Sequence, residues 1–441
     1  IGADGEKTKV PSANFTTGTP SDPSFCPTGA VCGATFTFSG FDAAGARIPF
    51  QQNVAERAAA VNREGTGFAF YVQDQWRPIN QLTVNLGVRY DTNNYYNNQD
   101  IKVLDFKKFQ PRLSAAFDVF GDGKTSIRAN YGLFYVDAAL TLARLFDSGI
   151  TSPVTRTYQW STTQNRWNFL RSTGGQFLTS ALIDGELKAT YDTQYNFAVE
   201  REIVRGLSTS ISYINKETHD IYEDSCINQT ECPDFWLTNQ PGRDIGLNDY
   251  LYKKYKGVIL QSRYTFTRGI VDASYTWSKS QGTIDSSVGQ YAADDADYFP
   301  YNFTNRDGYL ADDARNRFKV FGSYRVPFIE TDFVVNYTYR SGAPYNVTVT
   351  QDGLTVFAVA RGTDRTKILH NVDFEVRKEI PLSFIKSGFS ATVIGTVLNL
   401  TNSEQPTTYS TNGNVGANPP ARTPTAYQRP RNYQSGFRMD F

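Results

Sequence analysis

The chain has 441 residues with 44 basic and 44 acidic side chains, and this zero net charge leaves no electrostatic footprint for nucleic acid. One Met and two His leave little for metal or acid–base chemistry. No apolar run approaches the ~18–20 residues of a membrane helix, so any passage through a membrane has to be made by strands closed into a barrel.

The chain starts on Ile with no signal peptide in view, so it is expected to be processed or to be a piece of something longer. Its four cysteines form two short pairs, Cys26/Cys32 and Cys226/Cys232, each in a polar, Pro-containing loop. Closely paired loop cysteines point to disulfides in an oxidising compartment. Zinc is the alternative, but no His lies near either pair.

From residue 66 onward the sequence reads as strand after strand. Residues 81–91 are the cleanest. Leu82, Val84, Leu86, Val88 and Tyr90 alternate with Thr83, Asn85, Gly87, Arg89 and Asp91. A period of two gives one apolar and one polar face. The same alternation runs through 112–119 and 126–135. Further strands are predicted near 191–202, 207–216, 256–267, 270–278, 316–326, 331–349, 367–380, 387–400 and 433–441. With 66–78 this makes about thirteen, each of the ~9–13 residues that a tilted membrane strand needs.

The connections alternate in length. Short ones are expected at 78–81, 121–123, 204–206, 268–269, 327–332 and 381–387. Long ones are expected at 92–109, 137–190, 217–255, 279–315, 350–366 and 401–432. Barrels of the bacterial outer membrane have short periplasmic turns and long extracellular loops. The 14% aromatic content, with 27 Tyr and 31 Phe, suits their aromatic girdles. The last strand carries Phe437, Met439 and Phe441 on one face and Gly436, Arg438 and Asp440 on the other. A strand ending on an aromatic looks like the closing, barrel-assembly strand of such proteins, although an ordinary amphipathic edge strand would alternate in the same way.

If Phe441 ends in the periplasm, every long connection is extracellular. Residues 1–65 are then an extracellular loop region before a first strand at 66–78, and 66–441 is the barrel portion. A barrel entered from outside has an odd strand count, so part of the wall is expected to lie elsewhere, and strands 66–78 and 433–441 are expected to pair with segments not in this sequence.

Specific stretches resemble one family. They are GFAFYVQDQWRPINQLTVNLGVRYD at 67–91, FQPRLSAAFDVFGDGKTSIRANYGLFY at 109–135, YNFAVEREI at 195–203, YRSGAPYN at 339–346 and VLNLTN at 397–402. ATFTFSG at 34–40 resembles a piece of the loop before YVQDQW. Together they resemble Oar-like TonB-dependent outer-membrane receptors. The resemblance implies an all-β, antiparallel barrel of about twenty-two strands, of which this chain supplies about the last thirteen. The family's plug, TonB box and N-terminal carboxypeptidase-like domain have no counterpart in this sequence. The partners it implies are outer-membrane lipid, the missing strands and plug, and TonB acting through that plug.

Candidate binding residues lie in the long connections. Tyr158, Trp160, Trp167 and Phe169 on 137–190, with Tyr291 and Tyr298 on 279–315, could form a ligand or partner patch. Equally, the first four could pack their loop or lie at headgroup level. Asp294, Asp295 and Asp297 belong to an acidic run that could hold calcium. The EF-hand spacing is absent, and a solvated loop paired with Arg306, Arg315 and Arg317 is the plainer reading. No other cofactor is expected. Arg89, Asp91, Arg112, Asp118 and Arg128 point inward, either lining a path or satisfying a plug and one another. Asp74 shares the lipid-facing parity of Phe70, Val72 and Trp76. His219 and His370 have no nucleophile motif beside them, and no P-loop, HExxH or GxSxG occurs, so no enzyme is expected. The leading function is an outer-membrane transporter. A surface-interaction protein anchored by its barrel comes second, and a passive porin third.

Overall fold

The computed structural model describes residues 2–12, 19–28, 31–41, 46–56, 61–136, 143, 146, 154–173, 182–183, 187–226, 235–248, 250–285, 303–351, 354–382 and 389–440. Alternating sequence favours extended backbone, because a strand places successive side chains on opposite faces. Fourteen such strands follow one another through a single 15-stranded sheet. They are β1 (Gly2–Ser12), β2 (Val61–Ile79), β3 (Leu82–Tyr96), β4 (Lys102–Asp118), β5 (Thr125–Tyr135), β6 (Tyr191–Val204) and β7 (Leu207–His219). β8 (Lys253–Phe266), β9 (Gly269–Gly282), β10 (Asn316–Val326), β11 (Thr331–Arg340), β12 (Leu369–Pro381), β13 (Ser390–Leu398) and β14 (Asn432–Asp440) complete the path. Each pairs antiparallel with the next. The fifteenth strand, Gly308–Tyr309, adds to the end of β9. Helical structure in the named elements is limited to 3-10 turns, Pro23–Phe25 and Arg243–Ile245.

The register draws two continuous faces. Leu86 lies opposite Leu113, Leu113 opposite Tyr131, and Tyr131 opposite Tyr195. Further round on the same face, Val199 lies opposite Ile211, Ile211 opposite Leu260, and Leu260 opposite Tyr275. The Leu, Ile and Tyr side chains among these stay exposed, Leu113 at 45% and Leu260 at 46%. At roughly 25 cal/mol per Å² of apolar surface, such a row would be costly in water and is at home against lipid. Phe437 and Met439 of β14 are exposed with it, while Phe441 lies outside the described residues. The opposite face is polar and hydrogen-bonds to itself across strands. Gln75 Nε2 donates to Asn85 Oδ1 at 3.0 Å, and Asn85 Nδ2 to Ser114 Oγ at 3.0 Å. A cavity of about 780 Å³ lies along this face from β2 to β6, so the sheet curves around its polar side.

The turns at one end are tight. Between β4 and β5, the Asp118 carboxylate accepts from Gly121 N at 3.1 Å and Gly123 N at 2.8 Å. Both glycines have φ of 73°, a conformation that a side chain would strain. Asp118 therefore builds a turn instead of lining a path.

Three expectations need correction. Residues 1–65 are not all loop, because β1 pairs with β2 from Gly2↔Tyr71 to Ser12↔Val61. Its sequence, GADGEKTKVPS, has almost no apolar residue to alternate, so hydrophobic period could not reveal it. The exposed edge of β2 orders it, helped by Lys7–Glu64 at 2.7 Å and Asp4–Arg89 at 3.4 Å. Among the described residues the path thus has fourteen strands, and β1 runs from the short-turn end toward the long connections. The partner of residues 66–71 lies within this sequence, so among the described residues one edge of the sheet is formed by β1 and the part of β2 beyond Tyr71, and the other by β14. The connection expected at 92–109 is nearly all strand, since β3 and β4 run on to leave only 97–101 between them. The strand expected at 331–349 stops at Arg340, where a Cβ on Gly342 would stand 1.8 Å from the Thr366 carbonyl oxygen.

Replacing Leu260 by Arg places a charge at mid-strand on the lipid face and should destabilise the barrel by about 2–4 kcal/mol. Gln261→Arg, one residue along on the polar face, should change stability by far less. Denaturant unfolding of both variants in lipid vesicles tests the assignment of faces, and equal losses would reject it.

Candidate functional site

Near the first cavity many polar-face side chains bind one another. Arg89 Nε donates to Asp91 at 2.9 Å, Asp91 also accepts from Gln110, and Gln110 Oε1 accepts from Arg112 Nη2 at 3.4 Å. The Arg112 guanidinium lies 4.9 Å from the Phe134 ring centre. Arg128 pairs across strands with Glu200. Inward residues expected to line a path therefore bind one another first.

The long connections gather at the other end and are tied together by buried charge. Asp313 has a fully buried side chain. Its carboxylate accepts from Ser280 N at 2.8 Å and Arg365 Nη2 at 2.5 Å, with Arg315 at 3.4 Å. Arg315 and Arg365 both stack on Tyr309, at 4.6 and 5.2 Å. Arg361, equally buried, reaches Asp285 at 2.9 Å and lies 4.8 Å over Phe357. Breaking a buried pair leaves an uncompensated charge costing about 3–5 kcal/mol, so these contacts set the loop geometry. Residues 399–431 join through Arg422–Asp364 at 2.8 Å and the parallel Tyr345/Tyr409 pair at 5.1 Å. Asn399, in VLNLTN, pins the base of that connection. Its Nδ2 donates to the Ser403 and Arg429 carbonyls, both at 2.9 Å, and its Oδ1 accepts from Ser403 N at 2.9 Å. Tyr250 packs on Phe303 and donates to the Phe303 carbonyl at 3.1 Å, and burial pushes its phenol up to about 12.

A separate four-stranded sheet forms from two other connections. Its strands are Cys32–Phe41, Arg47–Glu56, Thr155–Ser161 and Arg166–Thr173, in that order. Ala34, Val54 and Tyr158 form its core, with Phe36 and Trp167 packed against them. The segment carrying Phe25 lies over this face, and Phe25 stacks on Tyr158 at 3.9 Å. The Cys26–Cys32 disulfide, with Cα atoms 5.9 Å apart, staples that cover to the first strand.

The predicted residues divide accordingly. Tyr158 and Trp167 are packing residues of the small sheet, and Trp160 meets Trp167 edge-on at 5.2 Å. Phe169 touches Tyr158 yet stays 59% exposed, beside Leu170 at 50%. Cys226 ends a short strand, Glu223–Cys226, and its partner Cys232 lies outside the described residues. Tyr291, Tyr298, Asp294, Asp295 and Asp297 also lie outside them. Among the described residues no three His, Cys, Asp or Glu side chains are placed to hold a metal. The acidic run is not simply solvated, since Asp313 is buried and Asp285 holds Arg361. The Arg365–Asp313 link joins residues 52 apart, and no local pattern in the sequence could announce it.

An antiparallel wall that is apolar outside and polar inside, with tight turns at one end and long connections at the other, is that of a transmembrane β-barrel. The chain belongs to the outer membrane beta barrel domain family, whose model matches residues 6–107 and 102–428, and its place is the outer membrane. It is similar to the TonB-dependent transporter Oar of Myxococcus xanthus, with 25% identity over 317 residues covering 63% of this chain and 30% of Oar. The fold also matches the FrpB iron transporter of Neisseria meningitidis, with a TM-score of 0.53 and 12% identity over 98% of this chain and 62% of that one. The ferripyoverdine receptor of Pseudomonas aeruginosa matches with a TM-score of 0.54 and 12% identity, over 100% of this chain and 53% of the receptor. The chain thus spans about a third of the curated relative's length and somewhat over half of these two structures. The relatives matched are transporters and receptors by name, not enzymes.

Two outcomes follow from the loop chemistry. Changing both Cys26 and Cys32 to Ser should loosen the cover of the small sheet by about 2 kcal/mol, seen as faster proteolysis within 19–28 while the barrel keeps its heat-modifiable gel mobility. For Tyr250, the folded state holds the phenolic proton more tightly than the unfolded chain, whose value is 10.0. Its contribution is therefore fully present below pH 10 and lost as pH rises through about 12. Burial makes Tyr222 and Tyr252 titrate late as well, so Tyr250→Phe should remove one tyrosine's worth of the late tyrosinate absorbance and leave the rest.

Proposed function

We propose that this chain supplies most of the wall of a TonB-dependent receptor or transporter. In this reading it takes a ligand at its long, extracellular connections and passes it inward, with the C-terminus in the periplasm. The observation that carries the reading is a lipid-facing sheet whose edge strands, β1 and β14, have no second partner among the described residues, around a polar interior. Each unpaired backbone group in lipid costs several kcal/mol, so both edges need further strands, and a wall of about twenty-two leaves roughly eight to be supplied. A plug would fill the interior and carry the contact with TonB. The relation to Oar supports this assignment.

A second reading has its own support. The disulfide-stapled sheet has its own core and presents Phe169 and Leu170 outward, which suits a surface-interaction protein anchored by its barrel.

The full-length protein, purified in detergent, separates these readings. A receptor should bind the periplasmic domain of TonB and show no steady conductance in planar bilayers. Absence of TonB binding with a closed pore would favour the anchor, and a permanently open pore would make it a porin.

A further inference from the structure

At the loop end of the wall, the polar faces of β10, β11 and β12 line a second cavity of about 500 Å³. Asp312 and Gln428 close it from two of the long connections. Arg317 and Arg340 occupy directly opposed positions on β10 and β11, and Lys319 follows two residues along β10 on the same face. Like charges placed opposite each other across a strand pair repel, so this arrangement costs stability unless something neutralises it.

Nothing in the described chain does so. Arg340 makes no hydrogen bond or ion pair among the described residues, and its Nε is buried without a partner. Lys319 has no carboxylate partner among them either. Arg317 donates only to the Asp312 carbonyl, at 3.2 Å. The Asp312 carboxylate is half-exposed on the rim and faces Lys253 at 3.8 Å. Asp373, two residues along β12 from Asn371, is taken by Asn371 Nδ2 at 2.7 Å and Asn399 N at 2.9 Å. Several other inward arginines have a carboxylate partner, Arg89 with Asp91, Arg128 with Glu200, Arg263 with Asp272 and Arg377 with Glu375. At the loop end, Arg317, Lys319 and Arg340 share one face with no carboxylate partner among the described residues.

We propose that Arg317, Lys319 and Arg340 form a binding site for a small polyanion bearing phosphate or carboxylate groups. A guanidinium fork fits such oxygens two at a time, and Lys319 adds a point charge deeper in the cavity. Thr338 and Asn371, which also line the cavity, add a hydroxyl and an amide for uncharged oxygens of the same ligand. The inference rests on the receptor reading and names the chemistry of its ligand.

The test is isothermal titration of the detergent-purified full-length protein with pyrophosphate and, separately, with citrate. At least one should bind, and the stronger of the two tells phosphate from carboxylate as the ligand's group. Arg340→Gln and Lys319→Gln should each weaken that binding by about ten- to a hundred-fold, with Arg340→Lys partly restoring it. Heat-modifiable mobility shows which variants form a barrel, and if Arg340→Gln does not, Lys319→Gln carries the comparison. No binding by the wild type, or undiminished binding in the folded Gln variants, overturns the proposal. If TonB binding and a closed pore persist in that case, the receptor reading stands and only the polyanion assignment falls.

Discussion

Lipid offers no hydrogen bonds, and that single constraint governs the rest of the molecule. Every backbone N–H and C=O within the bilayer must find a partner in the protein. A chain without membrane helices can meet this only by pairing each strand on both sides. The demand explains why β1 forms at all. Its side chains carry no pattern, yet its backbone completes the outer edge of β2. In the receptor reading proposed above, the same demand makes β1 and β14 points of attachment for further wall.

The two ends of the wall solve different problems. At the turn end, tight loops such as Asp118–Gly123 need only local hydrogen bonds and positive-φ glycines. At the other end the connections are too long to be held by local geometry. They are fastened by Asp313, Arg315, Arg361 and Arg365, whose charges are compensated by partners and by the rings of Tyr309 and Phe357. Such a network specifies one arrangement, because each charge loses its compensation if the loops shift.

Legibility in the sequence followed the range of each interaction. Period two at 82–90 showed the faces of β3, and the terminal Phe437 and Met439 showed those of β14. Closeness in sequence marked Cys26 and Cys32, which the structure joins. The aromatics at 158–169 were visible as a group, yet their division between core and surface depends on Phe25 lying over Tyr158, more than a hundred residues away in sequence. Asp118 carried the correct inward parity and still ended as a turn residue. Alternation tells which face a side chain takes, not what it meets there.

By itself the sequence determined the class of protein, the strands with alternating residues, the two faces and the alternation of short and long connections. All of these arise from local periodicity, which neighbouring residues alone can express. Tertiary structure decided the rest: that Gly2–Ser12 is wall, that Asp313 receives Arg365, and that Arg317 and Arg340 confront each other across two strands. These depend on register and on backbone edges, and a strand's register exists only once its partner is in place.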